Sequence, residues 1–539
     1  MSSPPAHPAL SCAGLAFAWP DGTPVLDGLN LAVGPGRTGL VGRNGSGKST
    51  LLKLLAGELA PTAGTVRAAG GVGHLPQDAA LDTRLRVDEA LGVAGTRAAL
   101  HAIESGDVRE EHFAAVGDDW DVEERARATL DRLGLDRIGL DRTTGEVSGG
   151  ECVLLRLAAL LLARPAVLLL DEPTNNLDRH ARRRLYAAVD AWPGVLVVAS
   201  HDRELLERVD RVAELRGGEL TWYGGPYSAY EEAVAAEQEA AERTVRAAGS
   251  DVRRQRRELA EAQARLAKRR RYGEKQAANK VVPPIVAGGL KRAAQVSAGR
   301  HRAVHAERLD RARERLEEAV EAVRDDDAIR VELPHTAVPP GRDVLLLRDL
   351  ELRHGARIDG EFEVRGPERI ALVGRNGSGK STLLRTIAGE VEPRAGEAAA
   401  RVPLRFLPQR LDVLDDGLTV VENVARFAPG ATPNRVRARL ARFLFRGAEA
   451  DRPAGTLSGG ERFRATLAAL LLAEPAPQLL MLDEPTNNLD AASVRSLVQA
   501  LEGYEGALLV AGHDVPFLEA IGITRTLDMD ALTSPRGAT

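Results

Sequence analysis

The sequence is poor in cysteine, in lysine and in long apolar runs. Only Cys12 and Cys152 occur in 539 residues. That excludes a disulfide framework and any cysteine-rich zinc module, and it suits a reducing cytoplasm. The longest apolar stretches cover 157–163 and 466–473, far short of the ~18–20 residues a membrane helix needs. No Lys or Arg precedes a hydrophobic run near the start, so no signal peptide is expected. Seven lysines stand against 65 arginines, so a lone Arg carries little information here and a Lys carries more. The formal charge of −5, spread evenly, would exclude a strongly basic nucleic-acid binder. What is present is length for two to four domains at about 100–200 residues each, with 44% hydrophobic residues to build their cores.

The chain repeats itself. Gly42-Arg43-Asn44-Gly45-Ser46-Gly47-Lys48-Ser49-Thr50 recurs unchanged 332 residues later, and so does Leu75-Pro76-Gln77. Ser148-Gly149-Gly150-Glu151 recurs after 310 residues, and Asp171-Glu172-Pro173-Thr174-Asn175-Asn176-Leu177-Asp178 and His201-Asp202 after 312. Two copies of one module are therefore expected. The first carries 22 extra residues between its Gln and its Ser-Gly-Gly-Glu, expected near 100–121. The predicted domains are 1–226, a helical linker over 227–330, and 331–539.

In each copy an apolar run precedes the glycine-rich loop and a Leu-Leu pair follows it, the strand–loop–helix setting of a phosphate loop. Gly42, Asn44, Gly45 and Gly47, and Gly374, Asn376, Gly377 and Gly379, let backbone N–H groups face phosphates at a helix N-terminus. Lys48 and Lys380 are predicted to reach the β/γ-phosphates, with Ser49, Thr50, Ser381 and Thr382 beside them. Asp171-Glu172 and Asp483-Glu484 end apolar runs that read as buried parallel strands. There the Asp can hold Mg²⁺ and the Glu can polarise an attacking water.

The order of these motifs resembles the ATP-binding-cassette (ABC) ATPases, twice over, with Ser-Gly-Gly-Glu as the family's specific signature. The resemblance implies an α/β fold: two P-loop domains, each a mixed or parallel sheet core with a helical subdomain, joined by an α-helical hairpin. It implies ATP hydrolysis with ATP and Mg²⁺. It implies two sites shared head to tail. The first takes Lys48, Ser49, Gln77, Asp171, Glu172 and His201, closed by Ser458, Gly459, Gly460 and Glu461. The second takes Lys380, Ser381, Gln409, Asp483, Glu484 and His513, closed by Ser148, Gly149, Gly150 and Glu151. Gln77 and Gln409 would sense Mg²⁺ and the γ-phosphate. Trp19 matches the adenine-stacking position; a strand-core aromatic is its equal alternative, and His354 stands in the corresponding place of the second copy.

Two fused cassettes with a charged linker resemble the ABC-F subfamily. That resemblance implies binding in the ribosomal tRNA exit site, near large-subunit rRNA and P-site tRNA, as a monomer. A short insertion in the first copy resembles members that protect ribosomes from antibiotics. A housekeeping translation factor and the ATPase subunit of a drug exporter are the alternatives. The linker supports the ribosomal reading independently. Val245, Val252, Leu259 and Leu266, and Leu309, Leu316 and Val323, fall at heptad spacing, as in two coiled-coil helices, with Pro283-Pro284 and Gly288-Gly289 between them. Arg265–Arg302 carries eleven basic residues against Glu274 alone, a charge of +10, leaving −15 for the rest. Contact with RNA phosphates is expected of Arg265, Lys268, Arg269, Arg270, Arg271, Lys275, Lys280, Lys291, Arg292, Arg300 and Arg302. No RNA-recognition-motif or KH pattern occurs.

Overall fold

The computed structural model describes residues 9–77, 82–175, 177–278, 303–320, 333–353, 356–410, 412–487 and 489–533. The chain divides into two compact units. One combines Met1–Ser228 with Asp327–Thr539 and holds both copies of the module; the other is Ala229–Asp326.

Each copy is built on a central sheet whose strands are too apolar to face water on either side. Val167–Asp171 and Leu479–Asp483 are buried at every position. Their alternate residues feed different cores: Leu479 and Met481 join one hydrophobic cluster and Leu480 and Leu482 another. That is how a continuous apolar strand behaves when both faces of a parallel sheet are covered. In the first copy the sheet runs Val72–Leu75, Val167–Asp171, Val195–Ala199, Gly36–Val41, Arg211–Arg216, Glu219–Gly224. Only the last pairing is antiparallel. The second sheet repeats this with Leu404–Leu407, Leu479–Asp483, Ala507–Ala511, Arg369–Val373 and Arg525–Asp528, all parallel. A three-stranded antiparallel sheet accompanies each copy.

The strand before each phosphate loop is thus central, and one strand separates it from the strand ending in Asp-Glu. Both motifs end at the carboxyl edge of the sheet, where open α/β sheets bind ligands.

The helical part of each copy leads to its signature helix, Gly149–Ala163 or Gly459–Leu471. In the first copy it contains two further helices, Ala94–Glu104 and Glu110–Val116, which pack on each other. They occupy the stretch where the two copies differ in length. The signature helices begin earlier than their apolar stretches over 157–163 and 466–473 suggest. Ser148 and Ser458 are N-caps, each in a reciprocal capping box with the Glu three residues on, so the helix can start on the glycines despite their poor propensity.

In the linker unit the long helix Tyr227–Ala278 is accompanied by a helix over 303–320. Val245, Val252, Leu259 and Leu266 are each half-buried on it. On the second helix Leu309, Ala312 and Ala319 are buried and Leu316 half-buried. The spacing of three and four is that of a coiled-coil seam. Arg315 approaches Asp251 at 3.7 Å. Val323, Pro283-Pro284 and Gly288-Gly289 lie outside the described residues.

Candidate nucleotide sites

The two phosphate loops have nearly the same geometry. Gly42 and Gly374 sit at φ 153° and 147°, and Gly47 and Gly379 at φ 98° and 97°. Gly42 admits nothing larger, because an added Cβ would lie 2.4 Å from the Leu215 carbonyl. Each loop opens directly into a helix, Lys48–Leu55 or Lys380–Ile387, capped by glycine with no side-chain acceptor. The first backbone N–H groups therefore remain donors for an anion.

Lys48 and Lys380 are buried. Lys48 Nζ donates to the Gly42 carbonyl at 2.7 Å and to Arg43 at 3.3 Å; Lys380 Nζ does the same to Gly374 at 2.7 Å and Arg375 at 3.2 Å. Burial depresses the pKa of both ammonium groups, and the facing carboxylates oppose that shift. A cation held against carbonyls inside the loop is placed to receive phosphate oxygens.

Asp171 and Asp483 are buried at the strand ends. Ser381 Oγ donates to Asp483 at 3.1 Å. Among the described residues both carboxylate oxygens of Asp171 are buried with no hydrogen-bond partner, and burial raises its pKa while the nearby Ser49 hydroxyl opposes that shift. A buried carboxyl in that condition is costly unless a cation or water takes its lone pairs. Together with the adjacent Ser49 hydroxyl, the donor set fits a hard cation that keeps several waters, as Mg²⁺ does.

The next residue is unusual in a way the sequence does not show. Glu172 and Glu484 both adopt φ 46°, a left-handed backbone that costs a non-glycine residue about 1–3 kcal/mol and gathers at functional positions. The strain is locked by Glu172 N to the Ala199 carbonyl and Glu484 N to Ala511, both at 2.8 Å. It turns the Glu away from the direction of the Asp. Burial raises the pKa of each Glu, and Lys48 or Lys380 pulls it back. His201 Nε2 lies 3.3 Å from Glu172, and His513 Nε2 3.4 Å from Glu484 and 3.0 Å from Lys380 Nζ. Burial and the lysine hold both imidazoles neutral; His513 falls to about 4. Lysine, carboxylate and neutral imidazole thus converge at each loop. Such a group can bind a polyphosphate and polarise a water.

The copies meet at these sites. Asp490, which caps its own helix through Ser493 N at 2.8 Å, accepts the Asn44 amide of the first loop at 2.9 Å. A cavity of about 370 Å³ at the second loop is lined by Asn376, Gly377, Gly379, Lys380, Ser381, Thr382, Gln409, Glu484 and His513, with Leu177 and Arg182 from the first copy. Ser148, Gly149, Gly150 and Glu151 do not line it. The Glu151 carboxylate accepts from Ser148 N at 2.8 Å and Ser148 Oγ at 2.6 Å, and Glu461 accepts from Ser458 N at 2.8 Å and from Arg452. Ser148, Gly149, Ser458 and Gly459 are solvent-exposed, with Gly150 and Gly460 half-buried.

Trp19 lies at the turn between Leu10–Ala18 and Pro24–Val33, 41% exposed, its ring 5.1 Å from Phe17 edge-on. Val25 of the same hairpin packs against Gly47, so the exposed indole is carried near the first loop. Its counterpart His354 lies outside the described residues. Gln77 is exposed after Val72–Leu75. Of the basic linker residues, Arg265, Lys268, Arg271 and Lys275 are exposed on the long helix. The side chains of Arg269 and Arg270 lie outside the described residues, as do Lys280, Lys291, Arg292, Arg300 and Arg302 altogether. Sequence reasoning missed Arg182, whose signal is weak in so arginine-rich a chain.

The chain is similar to known proteins. The family model described as "ABC transporter" matches residues 26–175 and 359–487. The chain is 35% identical over 532 residues to the tylosin resistance ATP-binding protein TlrC of Streptomyces fradiae, covering 91% of this chain and 92% of that protein. It is 31% identical over 527 residues to the energy-dependent translational throttle protein EttA of Mycobacterium tuberculosis, covering 92% and 87%. Among solved structures, an RNase-L inhibitor matches with a TM-score of 0.56 at 20% identity over 93% of this chain and 85% of that one. That last likeness concerns the fold alone. Among the described residues no helix is long and apolar enough to cross a membrane.

Proposed function

The chain belongs to the ABC-F subfamily of the ATP-binding-cassette ATPases, and from that premise we propose that its hydrolysis of ATP governs residence on the ribosome. In this reading ATP closes the two cassettes, the closed form binds in the tRNA exit site, and hydrolysis releases it. The linker reaches toward the peptidyl-transferase centre and contacts large-subunit rRNA and P-site tRNA. The outcome is protection of the ribosome from an antibiotic.

The geometry of each site supports the chemistry assigned to it. The phosphate loop and its lysine bind the β- and γ-phosphates. Ser49 with Asp171, and Ser381 with Asp483, would hold Mg²⁺, which supplies charge neutralisation of the phosphates when bound. Glu172 and Glu484 orient and polarise the attacking water, and neutral His201 and His513 donate to the γ-phosphate. The exposed signature serines meet the nucleotide of the opposite site only on closure, so ATP acts as a clamp with differential affinity for the closed form.

The observation that carries the ribosomal reading is the charge pattern. The chain is acidic overall at −5, yet Arg265–Arg302 carries +10, and Arg265, Lys268, Arg271 and Lys275 stand exposed. A one-sign segment repels itself unless a polyanion neutralises it. The names of a resistance protein and a translational throttle among the relatives support the same target. The test is the Glu172→Gln/Glu484→Gln chain, sedimented through sucrose with ATP at low salt. Co-sedimentation with 50S or 70S particles is expected, and a mutant confined to the top of the gradient would refute ribosome binding. For protection, cells expressing the unaltered chain are expected to grow at tylosin concentrations that inhibit the parent. Replacement of 280–291 should abolish that growth while leaving ATPase activity intact; resistance that survives the replacement would remove the linker from the mechanism.

A further inference from the structure

The two ATP sites differ in one residue that comes from across the interface. Each Asn-Asn-Leu-Asp segment starts a helix, Arg179–Asp190 in the first copy and Ala491–Glu502 in the second. Four residues after the capping Asp, the first copy has Arg182 and the second has Val494. Val494 packs against the hydrophobic core of its own copy. Arg182 instead lines the cavity formed by the second phosphate loop, together with Lys380, Glu484 and His513.

Two bonds fix the direction of the guanidinium. Nε donates to the Leu177 carbonyl at 3.1 Å and Nη1 to Asp202 Oδ2 at 3.3 Å. The Asp202 side chain is largely covered and accepts from the Tyr186 hydroxyl at 2.8 Å and the Leu205 amide at 3.0 Å. Among the described residues Nη2 has no acceptor. The side chain is only 18% exposed, so it is ordered and partly desolvated without being neutralised on every donor. The charge is felt across the interface, where Arg182 favours the ionised Glu484 carboxylate. Each loop lysine feels the matching acid of the opposing cassette, Asp490 at Lys48 and Asp178 at Lys380, whereas the position of Arg182 is the uncharged Val494 at the first site. The second site therefore receives from its opposing cassette a cation for which the first has no equivalent.

We propose that Arg182 is a nucleotide-binding residue of the second ATP site, supplied by the first cassette and directed at the γ-phosphate. This rests on the ATPase assignment alone and not on the ribosomal reading. A planar guanidinium with a fixed fork matches phosphate oxygens, and partial burial of the site strengthens the contact. ADP lacks the γ-phosphate, so the residue distinguishes ATP from ADP at the second site only.

The experiment is a fluorescence titration with mant-ATP and mant-ADP of the full chain in two backgrounds. Lys48→Ala leaves the second site to bind; Lys380→Ala leaves the first. In the Lys48→Ala background, Arg182→Met is expected to weaken mant-ATP about tenfold and mant-ADP less than about twofold. Arg182→Lys, which keeps charge and reach, is expected to restore most of the ATP affinity. In the Lys380→Ala background Arg182→Met should shift neither ligand by more than about twofold, since Asp202 keeps two other donors. Unfolding midpoints recorded on each variant separate loss of charge from loss of packing. Equal weakening of ATP and ADP, equal weakening at both sites, no weakening at the second site, or failure of lysine to rescue would each overturn the proposal.

Discussion

The two ATP sites share their phosphate loops, their acids and their histidines, and differ in what faces them. At each, an acid of the opposing copy acts on the loop lysine, Asp490 on Lys48 and Asp178 on Lys380. At the second, Arg182 lines the cavity beside Lys380 and Glu484. Duplication copied the machinery that acts within one cassette and the trans acids Asp178 and Asp490, while the position four residues beyond them diverged to Arg182 and Val494. Catalytic groups are constrained by the reaction, whereas a trans residue four positions beyond a helix cap can be exchanged for core packing, as Val494 illustrates.

The largest effect should be common to both sites. Glu172→Gln with Glu484→Gln is expected to lower steady-state ATP hydrolysis by about 10²-fold or more, measured as phosphate release; activity within a fewfold of the original would remove both glutamates from the chemistry. The backbone separates the copies more finely. An added Cβ at Gly42 meets a carbonyl at 2.4 Å, whereas at Gly374 the nearest atoms are the Ser378 hydroxyl at 2.8 Å and Met529 Cβ at 3.1 Å. Both substitutions force alanine into a left-handed conformation, but only the first clashes with main chain. Gly42→Ala should therefore cost about 3 kcal/mol of unfolding free energy and Gly374→Ala about 1–2 kcal/mol; equal losses in denaturant titration would mean that the loops are equally adaptable.

Titration gives the next contrast. Burial and Lys380 hold His513 at about 4 in the folded chain against an ordinary 6.5. Between those values the unfolded chain binds a proton that the folded one does not, so this group's contribution destabilises as pH falls from 6.5 to 4. Glu484, raised by burial, works in the opposite sense, because the folded form binds its proton first. The difference between the unaltered chain and His513→Gln isolates the histidine. The unaltered chain should lose about 2 kcal/mol more than the variant between pH 8 and pH 5, and parallel stability curves would show that His513 is not buried neutral.

The smallest effect concerns the signature caps. Ser148→Ala and Ser458→Ala each remove an N-cap acceptor and should cost about 1 kcal/mol of stability. If closure brings both serines to nucleotide, each variant also weakens ATP-driven closure at the opposite site; a stability loss with unchanged ATP affinity would confine them to capping.

Much of this arrangement is legible in the sequence because it rests on local rules. Gly-x-x-x-x-Gly-Lys-Ser after an apolar run specifies strand, loop and helix, and Val167–Asp171 reads as a strand buried on both faces because no polar residue interrupts it before Asp171. Recurrence at fixed offsets then identifies two sites. The helix starts at Gly149 and Gly459 are less legible, because a capping box outweighs the poor helix propensity of paired glycines. The φ of 46° at Glu172 and Glu484 has no local signal at all: nothing in Asp-Glu-Pro-Thr asks for a left-handed glutamate, and the conformation exists because the Ala199 and Ala511 carbonyls on the neighbouring strands hold it. Arg182 was hidden for a different reason. It reads as one more arginine on the polar face of an amphipathic helix, and only packing of one copy against the other gives it a phosphate loop to face.

In the proposed reading one chain carries two complete but unequal ATP sites. Equilibrium binding of mant-ATP to the unaltered chain tests it most directly. Two sites per chain are predicted, with dissociation constants at least about fivefold apart, the tighter one lost in Lys380→Ala and the weaker one in Lys48→Ala. A single class of two equal sites, or one site per chain, would contradict it.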